Sequence, residues 1–186
     1  MNDSLSKTYA GFWQRVKAFA LDYVIILLYL AAITLLNLVL NSPYRVNHLV
    51  FSITHWLFEN RVSAQLTGFL LLTLPISLYF AISESSKRQA TWGKERMKLI
   101  VTDSNGERLT FWRSLARTFL KFVPWELSHT LIWQINFSPQ TNSALINYSF
   151  ILVYVLIGLN IASLLIMKKH QTLYDLLAKT YVTKVT

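Results

Sequence analysis

The stretch Gly11–Leu40, GFWQRVKAFALDYVIILLYLAAITLLNLVL, limits this chain more than any other part of it. From Ala18 to Leu40 it carries a single charged side chain, Asp22. About 20 mostly apolar residues cover the hydrocarbon core of a bilayer as a helix, so the stretch is long enough to span one. Arg15 and Asp22 stand two helical turns apart and project from one face. An ionised carboxylate at membrane depth costs about 2.5–3.5 kcal/mol on insertion scales. Asp22 therefore needs a cation, a watery pocket or a bound ion beside it.

The rest of the chain agrees with a membrane setting. Hydrophobic residues make up 53% of the 186, and they are gathered into long blocks. The formal net charge of +9 would suggest nucleic acid in a soluble chain. Here the basic residues flank apolar blocks, where they orient the protein and meet anionic headgroups, so nucleic acid is not expected as a partner. With no cysteine, disulfides, thiolate metal sites and cysteine nucleophiles are excluded. The first apolar run is too long for a cleaved signal, and no small-residue cleavage site precedes Asn41-Ser42-Pro43.

Taken in order, residues 18–40 form a first span, closed by the Asn41-Ser42-Pro43 turn signal. Tyr44–Arg61 reads as a loop with a short amphipathic helix and headgroup-level aromatics. Residues 62–83 are uncharged and form a second span, in which Pro75 predicts a kink. The region 91–111 reads as a small β-hairpin: a strand from Lys98 to Thr102, the turn Asp103-Ser104-Asn105-Gly106, and a return strand from Glu107 to Phe111. Thr180–Val185 has the same alternating character and could join that sheet. A helix starts at Thr110 and runs through a poorer span, 114–137, which contains Pro124 and Glu126. Residues 145–167 are a clear span, followed by the segment 168–186. No internal repeat is evident.

Charge placement decides the number of crossings. With four crossings, every Lys and Arg except Arg45 and Arg61 falls on one side of the membrane, together with both termini. With three, the basic C-terminal segment would face outward. The expected fold is an all-α membrane protein: a four-helix transmembrane bundle in one domain, 1–186, with a small cytoplasmic β-hairpin. The expected location is a bacterial inner membrane.

Three blocks of sequence resemble one family. They are Gly11-Phe12-Trp13-Gln14-Arg15 with Asp22, then Gln89-Ala90-Thr91-Trp92-Gly93-Lys94 with Leu99–Asp103 and Gly106, and finally His170–Ala178. Their order and spacing are similar to those of the RDD family of small membrane proteins, in which one arginine and two aspartates would map to Arg15, Asp22 and Asp175. Trp92 stands where a smaller or aliphatic residue would be usual. The resemblance implies membrane transport, with sodium/proton antiport proposed for some members, whereas others look like membrane adaptors.

Arg15, Asp22 and Asp175 are thus candidates for an ion or proton site, with Arg15 setting the pKa of Asp22 and Asn160 or Ser163 completing the coordination. Desolvation raises a carboxyl's pKa and a nearby cation lowers it, a competition that would let Asp22 exchange a proton for Na⁺. The alternative is structural: Asp22 pairs with Arg117 or Lys121 and fixes helix packing. Asp175 also fits a capping box with Thr172 as N-cap, and its short helix could dock beneath the first span, meeting Arg15 or the Arg113 face. Glu126 is a secondary candidate. Arg113, Arg117 and Lys121 recur at helical spacing as a basic stripe, and with Lys168 and Lys169 are candidates for anionic headgroups. His48 and His55 lack a third ligand, so no metal is expected. Thr91-Trp92-Gly93-Lys94 lacks the rest of a phosphate loop, and His129 and His170 have no nucleophile motif near them. No cofactor and no enzyme activity is expected. The two functions this leaves are monovalent cation/proton exchange, for which four spans are few and a homo-oligomer is expected, and a non-transporting adaptor or assembly factor.

Overall fold

The computed structural model describes residues 8–40, 55–140 and 143–185. The Asn41-Ser42-Pro43 turn, Arg45 and His48 lie outside them. Long helices dominate: α1 (Phe12–Leu40), α2 (Arg61–Ser85), α4 (Phe111–Phe137) and α5 (Ser143–Ile166). Two short helices, α3 (Trp92–Arg96) and α6 (Leu173–Leu177), each lead into a strand, β1 (Leu99–Asp103) and β2 (Thr180–Lys184). Among the described residues three helices, α1, α2 and α5, are long and apolar enough to cross a membrane. Helix α4 matches them in length but carries Arg113, Arg117, Lys121 and Glu126.

The kink expected at Pro75 takes a specific form. Phe69–Thr73 is wound as a π-helix immediately before the proline, and the Leu74 N–H reaches back to the Phe69 carbonyl. Proline has no N–H to offer the carbonyl of Leu71, one α-helical turn earlier. That carbonyl instead accepts from the Tyr29 hydroxyl of α1 at 2.7 Å. A neighbouring helix thus satisfies the freed group, as an apolar surrounding requires.

The expected hairpin is only partly present. Asp103–Gly106 does turn, with Asp103 Oδ1 accepting from the Asn105 and Glu107 N–H groups, each at 2.9 Å. The return segment makes just an isolated bridge, Thr102 to Arg108. The partner of β1 is the distant β2, antiparallel, with Val101 opposite Val182 at the centre of the register. A local turn favours hairpin closure, but apolar burial decides it: Leu99, Val101 and Val182 are buried together with Ala10, Ala18 and Leu109.

The architecture also corrects the expectation of no repeat. Gln89 and His170 both adopt positive φ, Thr91 and Thr172 both cap a five-residue helix, and Lys98 and Lys179 again have positive φ before a strand. These pairs stand at one constant separation, and so do Val101 and Val182, which face each other across the sheet. Upstream, Tyr9 bridges to Thr183 as Arg108 bridges to Thr102. The Lys184 N–H donates to Thr8 O as the Asp103 N–H donates to Glu107 O. Phe12-Trp13 then opens α1 as Phe111-Trp112 opens α4. The chain is therefore two like halves, α1-α2-α3-β1 and α4-α5-α6-β2, joined at an approximate two-fold through the Val101–Val182 pair. Few side chains repeat, which kept the relation out of sight in the sequence.

Candidate functional site

The sheet end of the bundle holds a continuous series of buried charges. Thr172 caps α6 and forms a capping box with Asp175, as its sequence suggests. This orients Asp175 toward two arginines. Its Oδ2 accepts from Arg15 Nη1 of α1 at 2.6 Å. Its Oδ1 lies 2.7 Å from Arg117 Nη2 and accepts from Arg117 Nε of α4 at 2.9 Å. Arg117 continues to Glu84 of α2 at 2.6 Å, and Glu84 accepts from Lys94 of α3. Arg15, Asp175, Arg117, Glu84 and Lys94 thus alternate in sign across both halves. Burial alone would raise the Asp175 carboxyl, but the Arg117 and Arg15 guanidiniums hold it well below the usual carboxylate range. Tyr174 beside it is pushed up, first by burial and then by the Asp175 charge.

Asp22 stands apart from that series. It is buried in α1 and takes three neutral donors: Thr91 Oγ1 at 2.6 Å, the Gly93 N–H at 2.7 Å and the Tyr79 hydroxyl at 2.9 Å. Thr91 also caps α3, so the hydroxyl that binds Asp22 holds the start of that helix. A Cβ on Gly93 would collide with the Ala18 carbonyl oxygen and lie 2.9 Å from Asp22 Cγ, so only glycine admits this approach. The expected contact of Arg15 with Asp22 is not formed. Arg15 turns to Asp175, to Ala10 O at 3.1 Å and to His170 O at 2.5 Å. No basic side chain bonds Asp22 among the described residues.

The other candidates separate by place. Arg113 of the expected lipid stripe donates to the carbonyls of Ala178 and Lys179 at 2.9 and 2.6 Å and pairs with Asp103 at 3.5 Å, so its guanidinium is engaged within the protein. Arg117 is fully buried in the charge series. Lys168 and Lys169 remain exposed. Glu126 lies against the π-helical part of α2, accepting from Thr73 and from Gln65 at 3.2 Å, with His129 at 3.9 Å. It belongs to no common site with Asp22. Lys121 makes no hydrogen bond or ion pair among the described residues, and its ammonium rests 3.5 Å from the centroid of the Phe80 ring. Glu84, Lys94 and Tyr79 are the members that sequence reasoning missed. Glu84 and Lys94 sit in charged text next to solvent-exposed loops, and only the fold reveals that they are buried.

A cavity of about 420 Å³ opens between α1 and α5, lined by Asp22, Lys121, Asn160 and, on its apolar side, Phe19, Ile161 and Leu164. Asn160 donates to Leu156 O at 2.9 Å, while its Oδ1 is buried with no hydrogen bond.

The chain is similar to a protein of Bacillus subtilis (strain 168) titled "Uncharacterized protein YxaI", 27% identical over 117 residues, which cover 59% of this chain and 74% of the relative. No solved structure matches it. The profile of the RDD family matches residues 9–179, from the bridge residue Tyr9 through both capped short helices to Lys179. The chain belongs to the RDD family of small membrane proteins.

Proposed function

We propose that the protein is a non-transporting membrane adaptor or assembly factor, in which the Arg15, Asp22 and Asp175 trio is structural. The observation that carries this reading is the position of Asp175 between Arg15 and Arg117, in a chain of alternating charges that ties α1, α2, α3, α4 and α6 together. Breaking such a buried set at one member typically costs about 3–5 kcal/mol, because a desolvated charge is left behind. Asp22 is committed in the same way. Its carboxylate oxygens are taken up by three donors and do not leave the oxygen ligands that a bare Na⁺ would need. In this reading α4 is a fourth crossing of the bacterial inner membrane and both termini are cytoplasmic, which places all described Lys and Arg except Arg61 on the inner side.

One observation favours the exchange reading instead: Asp22 faces a cavity together with Lys121 and Asn160, at the seam between two like halves. Sites at such seams are typical of transporters built from repeats. The two readings part in proteoliposomes carrying an internal pH dye, with Na⁺, K⁺ or Li⁺ added in turn. The adaptor reading expects no cation-dependent proton flux, and a lowered melting temperature for Asp22→Asn. Cation-dependent flux that Asp22→Asn abolishes while the protein stays folded would establish exchange.

A further inference from the structure

The two-fold relation between the halves assigns a counterpart to every part of the Asp22 site. At the separations already described, Asp22 corresponds to Lys121, Tyr79 to Asn160, Thr91 to Thr172 and Gly93 to Tyr174. In the first half these groups close on one another around a carboxylate. In the second half, Lys121, Asn160, Thr172 and Tyr174 all line the open cavity. The packing differs in the same sense. Helix α2 lies closely along α4, with Phe80 edge-on to Phe122 at 5.8 Å, whereas the corresponding pair, α5 and α1, stand apart around that cavity.

Charge indicates what fills the gap. The described groups around it include four cations, Arg15, Lys94, Arg117 and Lys121, against three carboxylates, Asp22, Glu84 and Asp175. The alternating series uses its own members, and Asp22 has its three donors. Among the described residues Lys121 has no ion pair or hydrogen bond: its ammonium lies over the rings of Phe80, Phe19 and Phe122, and the carboxylates of Glu84 and Asp22 act on it only through space. An unpaired ammonium in low dielectric is costly and is relieved by an anion. The remaining wall is apolar: Phe12, Val16 and Phe19 from α1, and Ile161 and Leu164 from α5. Both of these helices are otherwise long enough and apolar enough to face lipid. The volume lies in the usual range of about 300–1,000 Å³ for small-molecule sites.

We infer that this cavity binds one anionic phospholipid, its phosphate on Lys121 and an acyl chain between α1 and α5, where the other half has helix against helix. The inference is independent of whether the protein is an adaptor or an exchanger.

The test uses the full chain, purified in a neutral detergent, with native mass spectrometry and thermal melts in short-chain phosphatidylglycerol, short-chain phosphatidylcholine or inorganic phosphate. The expected result is one retained phosphatidylglycerol per chain, bound at least tenfold more tightly than phosphatidylcholine and not replaced by phosphate. Lys121→Gln removes the preference, whereas Lys168→Gln, at an exposed lysine outside the cavity, keeps it. Ile161→Trp fills the apolar wall without altering charge and expels the lipid, which keeps the test valid if Lys121→Gln does not fold. Equal binding of both lipids, or a preference that survives Lys121→Gln, would overturn the inference. So would phosphate alone competing as well as the lipid, or a homodimer that Ile161→Trp dissociates with no lipid bound.

Discussion

At the scale of single residues, Gly93 and Asp175 are the positions least open to change. Gly93→Ala puts a methyl group into the Ala18 carbonyl, and overpacking of this kind costs about 1–3 kcal/mol or more. Gly158→Ala meets nothing within 4 Å and is expected to be neutral or stabilising. Fluorescence-detected melts of the two variants check the contrast. Asp175 is expected to couple to Arg15 by about 0.5–3 kcal/mol in a cycle of Arg15→Gln and Asp175→Asn. A full charge swap is a poorer test, because an arginine at position 175 would face Arg117. The carboxyl of Asp175 is lowered in the folded state, so its contribution is complete above the ordinary value of about 3.9. It fades as pH falls through the folded value. Melts from pH 7 to pH 3 should show wild type losing stability below about pH 4, and Asp175→Asn starting lower but losing less. The motif blocks made Arg15, Asp22 and Asp175 readable from the sequence. Their pairing was not, because spacing along α1 places Arg15 and Asp22 on one face and says nothing of an aspartate brought in from the far end of the chain.

At the scale of elements, α2 is the informative case. Pro75 announced a kink, but the π-helical turn and the Tyr29 hydroxyl that supports it depend on a second helix. Tyr29→Phe is expected to cost about 0.5–1.5 kcal/mol, the net worth of one hydrogen bond. In a Pro75→Ala background the cost should shrink, since an N–H at position 75 can serve Leu71 O directly. Equal costs in the two backgrounds would show that Tyr29 acts by packing alone. The strand segments were legible by alternation, and the turn at Asp103 by its composition. The pairing of β1 with β2 was not, because a hairpin and a long-range ladder present the same local text. The burial of Val101 against Val182 made the choice.

At the scale of the whole molecule, the crossing count is the open structural prediction. The chain has no cysteine, so single cysteines can be placed and labelled without background. If α4 spans, cysteines at Ser104 and Lys168 label from one side of the membrane and one at Ser138 labels from the other. If α4 lies within one leaflet, Ser104 and Ser138 label from the same side. Apolar blocks and flanking charge made three spans and the membrane class readable. The two-fold relation was hidden because its counterparts differ in chemistry, Asp22 against Lys121 and Gly93 against Tyr174, while the backbone keeps the same turns. Different side chains on a shared frame give one half a closed carboxylate site and the other an open cavity.

The position of β2 and α6 has a consequence for how the protein is made. Helices α1, α2 and α4 leave the ribosome well before Asp175, so Arg15 waits for its carboxylate partner while Arg117 has only Glu84 of α2. Until α6 emerges, the alternating series of charges cannot close between the two halves. Completion of the final short helix and strand is therefore the event that locks the two halves together.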